Sequence, residues 1–255
     1  MAVTSDVVIS DILSGCRLFD TLPLPARRAL AEASRRVEFR RGERLISMGQ
    51  PTDRLLVITE GLAKLVGVSP DGIERILYLY RPGDVAGPTV LLINFEHDYE
   101  IVAMSPVRAL AVSRRELLRI GRTQPSVILA LAREVSRLLA AMTDRVLQAT
   151  SNEVPVRLSR LLLEFAVRPR EFGAELVPLS FPLTHEVMAQ IVGASRPHTS
   201  TVLRDLESVG AVQRRSGRGL LVRTGRLKDV VEGNVALRNG GGAGASTAER
   251  IAVPA

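Results

Sequence analysis

At 255 residues, with a formal net charge of +7 and a pI near 10.6, the chain is long enough for two domains with separate cores, and its charge favours a polyanionic partner, either a nucleic acid or an acidic membrane surface. Its one cysteine, Cys16, excludes an internal disulfide, a four-thiolate iron–sulfur cluster within one chain and a Cys-type structural zinc site. No apolar run approaches the length of a membrane span, and residues 1–16 carry acids where a signal peptide needs basic groups, so a cytoplasmic chain with no membrane partner is expected.

In chain order, residues 6–36 read as helical, with breaks near Pro23 and Pro25 and with Leu22, Leu30 and Ala33 as apolar contacts. From 37 to 112 the texture changes to short apolar or alternating runs at 43–47, 55–59, 63–68, 73–80, 101–104 and 107–112. Turns separate them at Arg41-Gly42, Met48-Gly49, Glu60-Gly61, Pro70-Asp71-Gly72 and Pro82-Gly83-Asp84. Many short strands at this spacing predict a small antiparallel sandwich or roll, and a first domain over 1–124. Residues 125–152 then read as one long helix, with Pro125 suited to its start and Pro155 to the next boundary. Within it Ile128, Leu131, Val135, Leu138 and Met142 follow the three-four spacing of a coiled-coil seam, which meets Arg145 where an apolar residue is due. The spacing predicts a homodimer helix; because three heptads are a minimal signal, a helix packed only on its own domain is the alternative.

Residues 153–237 form the expected DNA-binding domain. Thr184 suits an N-cap, Glu186 the first turn, and Gly193 the left-handed residue that stops a first short helix. Ser195 then caps a second helix, in which Thr199, Val202, Leu203 and Leu206 share one side and leave Arg196, Pro197, Ser200, Thr201 and Arg204 on the other. Two helices joined by so tight a turn are the layout of a helix-turn-helix DNA reader. Residues 212–222 follow as a hairpin with a basic, glycine-permitted tip containing Arg214, Arg215 and Arg218, which reads as a wing. Between 185 and 228 eight basic residues face three acids, the electrostatic footprint that phosphate binding requires. Residues 238–255 are glycine-rich, poor in apolar side chains, and expected to be disordered.

Enzymatic readings find no support. His97, His185 and His198 are scattered, and His185-Glu186 begins like a zinc-protease helix but has Ala189 where the second histidine is needed. No nucleophile elbow, P-loop or dinucleotide fingerprint occurs, and neither a metal nor a cofactor is implied.

The order of an α+β chain with a β-roll, a long helix and a winged helix-turn-helix resembles the cyclic-AMP receptor protein and fumarate-nitrate reduction regulator (Crp/Fnr) superfamily of bacterial transcription factors. The resemblance spans roughly residues 10–232; it is carried by residues 183–196 and supported by Gly42, Gly49, Gly61 and Arg81-Pro-Gly-Asp84. It implies a cyclic-nucleotide-binding-like sensor roll and a homodimer on double-stranded DNA with a near-palindromic operator. RNA polymerase is a further partner of such a regulator. Carried over by position, Thr184, His185 and Ser195 touch phosphate and Arg196 reads guanine, with His198, Ser200, Thr201, Arg204, Arg215 and Arg218 as further DNA contacts. The family's usual glutamate and second arginine are replaced by Pro197 and Thr201, so a different half-site is expected. The effector pocket maps to Gly83, Asp84, Thr89, His97, Tyr99, Met142 and Thr143. Pro88 stands for the ribose-binding acid, and Asp98, Tyr99 and Glu100 stand where the phosphate-binding arginine belongs, so the usual mode of cyclic AMP binding is not expected. Two other readings stay open: a regulatory module acting on a partner protein, and a haem-based gas sensor using His97.

Overall fold

The computed structural model describes residues 16–68, 72, 74–91, 98–151, 153–167, 175–215, 219–235 and 237. Two compact units divide the chain, Met1–Thr150 and Ser151–Ala255. The expected tail at 238–255 and the start of the expected helix at 6–36 lie outside the described residues.

The first unit opens with α1 (Arg17–Asp20) and α2 (Leu24–Ala33), then β1 (Arg35–Phe39), β2 (Arg44–Ile46), β3 (Arg54–Glu60), β4 (Ala63–Val68), β5 (Glu74–Tyr80), β6 (Val85–Ala86), a 3-10 turn at Pro88–Leu91, β7 (Tyr99–Ala103) and β8 (Val107–Ser113). Helices α3 (Arg114–Thr123) and α4 (Pro125–Ser151) complete it. The strands form two antiparallel sheets, β1-β8-β3-β6 and β2-β7-β4-β5. Strand β1 corrects the sequence reading, which had continued the helix to residue 36. Its Arg35, Arg36 and Glu38 are exposed, so it has no strong apolar alternation, and pairing with β8 from Arg35↔Ala111 to Phe39↔Val107 holds it in place.

Strand β3 shows how the core is divided. Its continuous apolar run is buried on both faces, as expected of a strand covered on both sides. Leu55 and Val57 point to a cluster with Leu18, Phe19, Leu30, Leu117, Ile120, Val127 and Leu131, so α1 to α3 and the start of α4 cover one face of that sheet. Leu56 and Ile58 point instead to the other sheet, against Leu65, Tyr80, Ile101 and the small Ala63, Ala103 and Ala109. The β3–β4 turn requires glycine: at Gly61 φ is +86°, and an added Cβ would lie 2.1 Å from the Pro106 carbonyl oxygen.

Helix α4 leaves this core after Leu131. Leu131 is fully buried within its own unit, which removes it from the expected dimer seam. Ile128 and Leu138 are half-buried, and Met142, like Tyr78 and Tyr99, packs against the second core cluster of the roll. Arg145 follows on the same side, donating from Nη1 to the Leu77 carbonyl at 3.1 Å, with its guanidinium 5.8 Å from the Tyr78 ring centre. The exposed apolar face is offset by about one residue: Leu129 (54% exposed), Val135 (43%), Leu139 (65%) and Val146 (63%), with Leu147 beside them. Of the expected seam, only Val135 is exposed.

The second unit contains α5 (Val154–Phe165), β9 (Leu176–Pro178), α6 (His185–Val192), α7 (Arg196–Ser208), β10 (Val212–Arg214), β11 (Leu220–Arg223) and α8 (Thr224–Val231). Its antiparallel sheet has the order β10-β11-β9. Leu158, Leu162, Phe165, Val177, Met188, Leu203, Leu206, Val222 and Leu227 give this unit a core of its own.

Candidate nucleic-acid interface

The two helices of the reader are fixed by short-range chemistry. Thr184 caps α6, its side chain accepting the Val187 N–H at 3.2 Å. Gly193 ends that helix at φ 66° and ψ 40°, and the Ala194 N–H closes the turn onto the Ala189 carbonyl at 3.1 Å. Two residues on, Ser195 caps α7 by accepting the His198 N–H at 3.3 Å, and Pro197 occupies the first turn without breaking a bond.

Burial then sorts the faces of α7. Thr199, Val202, Leu203 and Leu206 are buried, and the Thr199 hydroxyl donates to the Ser195 carbonyl at 3.0 Å. Arg196, Pro197, His198 and Arg204 are exposed, while Ser200 and Thr201 are half-buried beside them. Arg204 Nη2 donates to Thr201 Oγ1 at 3.2 Å, which orients a guanidinium along the exposed face. His185, expected simply as a phosphate contact, is half-buried, and its Nδ1 lies 2.8 Å from Ser200 Oγ. Partial burial first, then Arg214 and Arg196, hold its imidazole below the usual histidine range.

The hairpin packs next to α7. Val212 pairs with Val222 and Arg214 with Leu220, and the Arg215 N–H donates to the Gly219 carbonyl at 3.0 Å across the tip. Arg214 pairs with Glu207 of α7 at 3.3 Å, and Arg215 is exposed. Arg218 lies outside the described residues. Strand β9, absent from the sequence reading, pairs with β11 from Leu221↔Pro178 to Arg223↔Leu176 and makes the hairpin part of a three-stranded sheet.

In the first unit the expected effector residues are largely committed to the fold. Asp84 is buried, and its carboxylate accepts the Arg81 N–H at 2.8 Å, closing the turn whose Gly83 has φ 91°. Gly83 in turn donates its N–H to the Ile58 carbonyl and accepts the Cys16 thiol at 3.3 Å. Thr89 Oγ1 and Tyr99 Oη are 3.4 Å apart, and Glu100 accepts from Arg44 Nε at 2.5 Å. Thr143 is exposed, with its hydroxyl donated to the Leu139 carbonyl. His97 lies outside the described residues. Among the described residues no group of three or more His, Cys, Asp or Glu side chains could hold a metal ion, and no helix is long and apolar enough to cross a membrane.

A basic winged helix-turn-helix, carried by a chain whose other unit is an antiparallel roll with a long C-terminal helix, defines a DNA-binding transcriptional regulator of the roll-and-reader class. Residues 36–124 match the model of the cyclic nucleotide-binding domain, and residues 156–230 match the Crp-like helix-turn-helix domain. The chain is 29% identical over 216 residues to a CRP-like cAMP-activated global transcriptional regulator of Mycobacterium tuberculosis, covering 84% of this chain and 95% of that protein. Among solved structures, a Crp/Fnr-family transcriptional regulator from Thermus thermophilus superposes with a TM-score of 0.63 at 26% identity, over 78% of this chain and 98% of that one. The c-di-GMP responsive global regulator CLP of Xanthomonas campestris shares the fold, with a TM-score of 0.67 at 18% identity, over 78% of this chain and 99% of that one. This chain belongs to the Crp/Fnr family of bacterial transcription regulators.

Proposed function

We propose that the protein acts as a dimer that reads a near-palindromic operator through α7, and that its roll does not bind cyclic AMP in the family's usual mode. The observation that carries the reading is the exposed face of α7, where Arg196 follows directly on the Ser195 cap and Arg204 is oriented by Thr201. An arginine there matches the O6 and N7 acceptors of guanine with its two-pronged guanidinium. Thr184 and Ser195 stand at helix N-termini, where backbone N–H groups and helix dipoles attract phosphate. Arg215 serves as a wing contact to phosphate that is indifferent to sequence.

Dimerisation is assigned to the exposed face of α4, with Leu129, Val135, Leu139 and Val146 in the seam. Large apolar side chains at more than two-fifths exposure, repeated along one helix, are the signature of a partner face. The mycobacterial relative is described as cAMP-activated. In this chain, Pro88 stands where the ribose acid is expected, and Glu100, tied to Arg44, stands beside the expected phosphate position. A carboxylate there raises the cost of binding a cyclic phosphate.

The test is selection of bound sequences from a random DNA pool by the purified, ligand-free chain. The expected result is a two-fold symmetric motif with a guanine in each half. Absence of enrichment, even with cyclic AMP added, overturns the reading; enrichment only on adding cyclic AMP overturns the pocket assignment alone.

A further inference from the structure

We infer that DNA binding protonates His185, and that this proton turns the Ser200 hydroxyl toward the DNA. The inference rests on the proposed DNA-reading role of α6 and α7, and it adds a proton to the binding reaction. His185 is the first residue of α6, where the helix dipole disfavours a positive ring. It is half-buried, with its Nδ1 2.8 Å from Ser200 Oγ.

The charges around His185 are mostly positive. Arg196 faces it from α7 and Arg214 from β10, the latter partly offset by its pair with Glu207 of α7. From α5, Arg157 reaches the opposite end of α6, donating to the Val192 carbonyl at 2.8 Å. On α6 itself the adjacent Glu186 is exposed. In the free protein this setting keeps the ring neutral, consistent with the downward displacement of its titration by burial, Arg214 and Arg196.

Double-stranded DNA reverses the balance, because it brings one phosphate charge for about every 1.7 Å of helix axis. Phosphates near the start of α6 neutralise Arg196 and Arg214 and favour the imidazolium. The proton comes from solvent buffer and goes to the ring, so each protomer takes up at most one. In the neutral Nε2–H tautomer, Nδ1 accepts the Ser200 O–H. In the imidazolium, Nδ1–H donates to Ser200 Oγ, and the Ser200 hydrogen is released to donate to a phosphate or base acceptor. His185 is therefore a positioning residue for Ser200 as well as a phosphate partner.

Calorimetric titration of the full chain with the selected operator, and with a random-sequence duplex at low salt, tests this. At about pH 7 the observed binding heat is measured in buffers of differing ionisation enthalpy, and the slope gives protons taken up. The expected result is uptake approaching one proton per protomer, abolished in His185→Gln, with operator affinity rising as pH falls by up to tenfold per unit per protomer. In Ser200→Ala the uptake is expected to persist while operator affinity falls. Specific binding with no uptake overturns the inference and leaves the DNA-reading role standing. Uptake that survives in His185→Gln but vanishes in His198→Gln reassigns the proton and also overturns it. Absence of binding to either duplex overturns both. Intact helical circular dichroism of each variant separates these outcomes from misfolding.

Discussion

Arg196 and Arg215 are both exposed arginines near the reader, yet they occupy different chemical positions. Arg196 opens α7 immediately after its cap, whereas Arg215 sits at the tip of a hairpin. Replacing Arg196 with alanine is expected to cost about 1–3 kcal/mol on the operator and much less on random DNA, while Arg215→Ala weakens both alike and lowers the salt dependence. Equal losses of Arg196→Ala on both duplexes, read by fluorescence anisotropy across a salt series, exclude a base contact. Cys16 gives a second test at this scale. Burial pushes its thiol up to about 11, against smaller opposing hydrogen bonds from the Leu18 and Phe19 backbone. The native chain should therefore resist alkylation at about pH 8, and react once unfolded. Because the folded value lies above the unfolded one, this thiol's contribution to stability is present below about pH 9 and is lost as pH rises towards 11. The caps at Thr184 and Ser195 and the stop at Gly193 were legible in the sequence because capping is decided within four residues. The His185–Ser200 pair was not, since fifteen positions separate the two and only the crossing of α6 over α7 brings them together.

Helix α4 shows what periodicity leaves undecided. Two adjacent rows of side chains, one through Ile128, Leu131, Val135, Leu138 and Met142 and one through Leu129, Val135, Leu139 and Val146, are both apolar enough to pass for a seam. Val135 apart, the first row faces its own unit: Leu131 is in the core, Met142 packs on the roll, and Arg145 reaches Leu77. A seam cannot be phased from sequence when the same helix must also pack on its own domain. The two rows predict opposite phenotypes. Leu131→Ala should destabilise folding by about 2–5 kcal/mol without changing the assembly, because it empties a packed site. Leu139→Asp should leave the melting transition of the roll nearly unchanged and yield a particle of 27.7 kDa by light scattering, because it puts a charge on the proposed interface alone. A dimer that survives Leu139→Asp, Leu129→Asp and Val146→Asp together removes α4 from the interface. Strand β1 and the two-residue β6 escaped the sequence reading for a related reason. One edge strand is dominated by exposed charged side chains and the other is too short for alternation to register.

At the scale of the whole molecule, recognition and pairing are assigned to different units. The reader and its wing lie within Ser151–Ala255 around their own core, whereas the exposed row of α4 belongs to Met1–Thr150. The second unit carries Leu158, Phe165, Met188, Leu206 and Val222 in its interior, and a fragment over 153–237 is expected to fold and to keep its half-site preference. What the fragment lacks is the partner face proposed on α4. In the proposed dimer, once one reader is bound, the second engages its half-site at an effective concentration set by the tether, which exceeds bulk concentration by orders of magnitude. The full chain should therefore prefer a two-fold operator over a single half-site by about 100-fold or more, and the fragment by no more than the statistical factor for two sites. Titrating both proteins against one-half and two-half duplexes measures this directly. Equal discrimination by fragment and full chain would mean that the readers pair through the second unit itself, and the role of α4 would reduce to covering the core with Val127, Ala130 and Leu131.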